Sequence, residues 1–152
     1  MNYEAAPDHI GEMYERLIAK YFPYLANAKI LFLVNKRKMM SKGNLILGKI
    51  VKPSALVKYL TRNEAPDGGF DYIIFLDGKL VQHADEGDIE RVLRHELRHI
   101  FFDSDSKSPY KLIDHDFSDF HDEVELNRDD PAWAKRLSQT ISLIYHQEKD
   151  EK

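Results

Sequence analysis

Apolar residues recur at helical spacing in the first part of the chain. Ile10, Met13, Leu17, Ile18 and Tyr21 share one face, which predicts a helix over 8–22 closed by Pro23. The pattern then shortens. KILFLVNK (29–36) holds an unbroken apolar run suited to a central strand. NLILGKIVK, within 43–52, reads as a second strand, with Gly48 marking a bulge or a close backbone approach. FDYIIFLD (70–77) reads as a third. Between them, RKMMSKG reads as a turn punctuated by Ser41 and Gly43, and 53–61 as a short helix opened by Pro53. GKLVQHADEGD fits an edge strand or a loop. A helix over 89–102 follows, with Asp88 as its cap. After the loop DSDSKSPY and a short extended KLI come helices over 118–127 and 131–149. Pro131 opens the last one, and Trp133, Leu137, Ile141, Ile144 and Tyr145 form its apolar stripe. Strands followed by helices in 152 residues predict one α+β domain spanning 1–152, a small mixed sheet packed against the 89–102 helix.

Composition narrows the picture. The chain is 43% apolar and 32% charged, as a folded protein is. Its formal net charge of −4 does not indicate a nucleic-acid binder. The lysines of RKMMSKG and GKIVK could touch phosphate, but solubility is the plainer reading. There is no cysteine, so any metal must be held by nitrogen and oxygen. No basic leader with an apolar run and no spanning segment is seen, which leaves no membrane role and a cytoplasmic location as the expectation.

The chemistry concentrates in RVLRHELRHIFFD (91–103). On an ideal helix at about 100° per residue, His99 falls near 40° from His95 and Glu96 near 100°. Ile89, Leu93, Leu97 and Ile100 form an apolar sector. Glu90, Arg91, Arg94 and Arg98 form a charged sector expected to face water. The third sector carries both histidines and the glutamate. Residues i and i+4 stack about 6 Å apart, so two imidazoles can converge on one ion. Glu96 sits too far round to ligate easily and suits a general base. The pattern is H-E-x-x-H. The plainer alternative is a charged surface helix laced by i,i+4 ion pairs.

Catalytic zinc takes three protein ligands. His115 is the preferred third, in IDHDFSDF, with Asp116 as its orienting acceptor. His121, Glu123, Glu125 and Asp103 stay open as alternatives. Phe117 and Phe120 read as core residues without a chemical role. His83, Tyr110 and Tyr72 are candidate oxyanion donors.

VLRHELRHI, followed after a loop by YKLIDHDFSDF, resembles the putative phage metallopeptidase family, small zincin-like proteins of phages and prophages, and is more distantly similar to SprT-like zincins. The likeness covers about 28–126. It implies a zincin-like fold, Zn2+ as cofactor, His95, His99 and His115 as ligands and Glu96 as catalytic base. Arg98 stands where relatives often carry a smaller residue, and the spacer before the helix lacks a tryptophan common among them. The expected activity is zinc-dependent peptide-bond hydrolysis of a protein or peptide substrate. The rival is a non-catalytic zinc-stabilised binding or structural module of phage or prophage origin.

Overall fold

The computed structural model describes residues 2–65, 68–114 and 119–150. The chain runs β1 (Tyr3–Ala5), α1 (Asp8–Tyr21), a 3-10 turn (Pro23–Leu25), β2 (Ile30–Asn35), β3 (Met39–Ser41), β4 (Asn44–Ile46), β5 (Gly48–Val51), α2 (Ala55–Leu60) and β6 (Tyr72–Asp77). It continues through α3 (Gly78–His83), α4 (Glu86–Leu97), β7 (Ile100–Phe102), β8 (Tyr110–Leu112), α5 (His121–Leu126) and α6 (Trp133–Asp150). The architecture is mixed α+β, with six α-helices among the described residues.

Four strands form the main sheet in the order β1–β2–β6–β5. The two apolar runs, β2 and β6, lie parallel at its centre, and β1 and β5 flank them antiparallel. Alternation along the strands divides the two faces. Tyr72, Ile74 and Leu76, with their register partners Ile30, Phe32 and Ile50, meet α1, α4 and α6 in one core. That core includes Ile10, Met13, Leu17, Leu93, Leu97 and Ile141. Leu31, Leu33, Ile73, Phe75 and Val51 lie on the opposite face, outside that cluster.

The expected stretch 43–52 is not one strand. RKMMSKG supplies β3, which pairs with β4 in a separate hairpin. Its tip is Lys42–Gly43, both at positive φ (51° and 79°), the two-residue turn whose twist matches antiparallel strands. The chain then breaks at Leu47 and joins the main sheet as β5. GKLVQHADEGD is mostly helical: Asp77 ends β6 and caps α3, accepting from Lys79 N and Leu80 N. A three-residue β1 had no visible pattern.

The motif helix is shifted toward the N-terminus. Asp85, not Asp88, caps it, accepting from Asp88 N at 2.9 Å. Buried Asp88 instead takes two bonds from Arg136 of α6 (3.0 and 2.7 Å). The helix ends at Leu97 rather than 102. His99 N bonds Glu96 O in a tightened last turn, and Ile100–Phe102 leaves to pair with Tyr110–Leu112.

The charged sector does not face water. Arg94 is buried and binds Glu123 Oε2 of α5 at 3.0 Å and Asn127, the residue that closes α5. Arg98 binds Glu123 Oε1 at 3.0 Å and lies over the Phe22 ring. Glu123 itself has no solvent exposure. Removing it would leave two desolvated guanidinium groups, so Glu123→Ala should lower the unfolding free energy by about 3–5 kcal/mol. Asp122→Ala, next along but with a 77% exposed side chain, should change it by less than ~0.5 kcal/mol. Urea titration of both variants is the check, and equal, small losses would show that the clamp carries no stability.

Candidate metal centre

Three elements build the site. The last turns of α4 carry His95, Glu96 and, just past the helix end, His99. The segment before α5 brings Asp119 and Phe120. The β7–β8 hairpin returns the chain so that Ile113 N donates to His99 O at 2.7 Å.

The two imidazoles lie with ring centroids 5.5 Å apart. His95 Nδ1 is 2.8 Å from Asp119 Oδ1, and His99 Nδ1 is 2.7 Å from the Ile113 carbonyl. A carboxylate and a carbonyl can only accept, so each Nδ1 carries the hydrogen. Nε2 is then the nitrogen suited to coordination in both rings. The Phe120 ring packs edge-on against both imidazoles, 5.5 Å from His95 and 5.0 Å from His99. Phe120 is a core residue, as expected, but one that fixes ring orientation.

Glu96 is 7% exposed. Burial pushes its carboxyl up from the ordinary 4.5 to about 7, against a smaller pull downward from His95. Burial also acts to lower His95, but the Asp119 hydrogen bond with the charges of Glu96, Asp119 and Glu123 carries it above its usual value. His99 falls below its usual value, chiefly by burial. Gly48 of β5 makes room for Glu96: a Cβ there would lie 2.9 Å from Val92 Cγ1 and 3.1 Å from Glu96 Cγ. The expectation of close backbone approach at Gly48 therefore holds, and the neighbour is the glutamate.

His95, Glu96 and His99 open onto a groove of about 1100 Å³. One wall is the β3–β4 hairpin with Lys49 and Ile50 of β5, and the other is Leu112–Asp114. A second chamber of about 480 Å³, with Leu47, Val92 and Trp133 in its lining, reaches His95 and Glu96 from the other side. No helix among the described residues is long and apolar enough to cross a membrane.

The other expected residues divide clearly. His115 and Asp116 lie outside the described residues, as does Phe117. Glu123 is not available as a ligand, because both of its oxygens are held by arginines. Exposed Glu125 pairs with Arg128, and Asp103 with Lys111. His121 is exposed at the start of α5. Among the oxyanion candidates, Tyr72 gives its hydroxyl to the Lys111 carbonyl at 3.0 Å, and neither it, Tyr110 nor His83 lines the groove. Asp119 was missed by the sequence reading. It stands in the same HDFSDF stretch, but its partner is 24 residues away.

The family model for putative phage metallopeptidase matches residues 1–143. The chain belongs to that family. No curated protein and no solved structure matches it.

The family name implies a metal, and the two tethered imidazoles suit a nitrogen-liganded one. Among the described residues no group of three or more His, Cys, Asp or Glu completes a metal site.

The buried glutamate has a measurable signature in chelator-treated protein. Its folded pKa of about 7 lies above the ordinary 4.5, so the folded chain retains a proton that the unfolded chain has released. Stability from this group is therefore lost as pH rises from about 4.5 to 7. Glu96→Gln removes that loss: metal-free E96Q should exceed the parent by on the order of 2–3 kcal/mol at pH 8, with the gap closing toward pH 4.5. Parallel stability–pH curves for the two proteins would contradict a buried, proton-retaining Glu96.

Proposed function

We propose that this family member is a zincin-like zinc peptidase, with His95, His99 and His115 as metal ligands and Glu96 as general base. The observation that carries the reading is the pair of imidazoles held by acceptors on Nδ1, with a desolvated glutamate between them and the sheet. A surface helix laced by ion pairs has no need of such tethering. The chain on either side of His115 supports its assignment. Ile113, two residues before it, grips the His99 ring, and Asp119, four residues after it, grips the His95 ring.

Zinc, when bound, would act as a Lewis acid on the scissile carbonyl and make water more acidic. The chain's own residues do the rest. Asp119 and the Ile113 carbonyl fix the ring planes. Glu96 accepts a proton from the attacking water at a carboxylate oxygen and returns it to the leaving amine. β5 is an edge of the main sheet beside the site, where an extended peptide can add as a strand.

Glu96→Gln keeps shape and hydrogen-bonding capacity while removing the base. It should retain zinc and fold but lose hydrolysis of an unfolded-protein or peptide-library substrate by ~100-fold or more, read by mass spectrometry. His95→Ala and His115→Ala should lose zinc by elemental analysis. Full zinc in His115→Ala would remove the third ligand. A zinc-loaded parent that cleaves nothing on a broad panel would favour the non-catalytic module.

A further inference from the structure

The charge of this chain is unevenly distributed. From Arg16 to Asn63 it carries eleven of its 22 Lys and Arg and none of its 26 Asp and Glu. That acid-free run includes β3, β4, β5 and α2, so it forms one whole wall of the groove beside Glu96. Lys42 at the hairpin tip and Lys49 on β5 both line the groove. Neither makes an ion pair among the described residues. Lys42 is also the one non-glycine at positive φ there, in a turn position that usually holds Gly or Asn. Solubility alone would not call for a lysine at that tip.

We propose that the groove selects extended polypeptide segments rich in Asp and Glu, read by Lys42 and Lys49. The proposal rests on the peptidase reading of the same site and names its substrate class. The groove's other charged groups are Glu96, Asp114 and the two histidines. Asp114 is on the opposite wall, so an acidic side chain is drawn toward the hairpin side. Apolar Leu45, Ile46, Ile50, Leu112 and Ile113 line the groove between, and β5 offers backbone groups along its edge. An added strand presents alternate side chains to the two faces, which suits a segment mixing acidic and apolar residues. Among the described residues no Phe, Tyr or Trp lines this groove, so it has no platform on which to stack a nucleobase.

The test uses zinc-loaded, full-length E96Q and three labelled peptides of one Leu/Ala pattern, carrying Glu, Gln or Lys at the same positions. Fluorescence anisotropy should show the Glu peptide binding about 10-fold tighter than the Gln peptide, the size expected of two solvent-facing charge pairs. High salt should erase the difference. Replacing both lysines (Lys42→Gln with Lys49→Gln) should also erase it while the thermal melt stays in place. Equal binding of the Glu and Gln peptides overturns the proposal, as does a preference that survives in the double variant. Single-stranded DNA that binds more tightly than the Glu peptide, through the same lysines, overturns the polypeptide assignment. Parent protein is assayed in parallel for cleavage of an unfolded substrate. Cleavage without charge preference sinks this proposal alone, and charge-selective binding without cleavage sinks the peptidase reading alone.

Discussion

Glu123 has no access to water and two arginines on its carboxylate, and the placement of α4 against α5 follows from that. Arg94 and Arg98 each precede a histidine of the motif, so R-H-E-L-R-H is a doublet repeated four residues apart. In each doublet the arginine turns toward α5 and the histidine toward the groove. The same two turns of helix therefore hold the clamp and the site. Asp119 and Phe120 lie just before α5, within four residues of Glu123. Docking α5 through the clamp is what delivers the carboxylate and the ring to the imidazoles.

Burial gives Glu96 its character. It sits where an apolar chamber meets the open groove, with Val92 and Gly48 against its side chain. A surface glutamate in the same motif would be ionised throughout the neutral range and would respond little to chemistry beside it. Here desolvation and the adjacent histidine act in opposite directions on the same carboxyl.

What the sequence disclosed was what local periodicity encodes. The apolar runs of β2 and β6, the stripe of α1, the stripe of α6 and the shared face of His95, Glu96 and His99 all follow from residues a few positions apart. The errors have a common cause in partners distant along the chain. Ile100–Phe102 continues the helical pattern of α4 equally well as it fits a strand, and only its pairing with Tyr110–Leu112 decides between them. The arginines looked solvated because the carboxylate that buries them is 29 and 25 residues away. Asp119 was one of several acids in its stretch until the fold set it against His95. In α3 a local signal was present and only half of it is used by the strand pattern: Asp77 does end a strand, and Asp followed by Gly-Lys-Leu is also a helix cap.

Gly48 shows how an absent side chain can be as exacting as a present one. Its neighbours Lys49 and Ile50 contribute charge and apolar surface to the groove, and other residues could supply either. At position 48 the nearest obstacles are a valine of the core and the glutamate itself, so even a methyl group displaces one or the other. Anyone diversifying the edge strand to change what lines the groove can therefore randomise outward from Lys49 but must hold the preceding codon fixed. The freedom to redesign the groove's lining ends at the one position whose backbone meets Glu96.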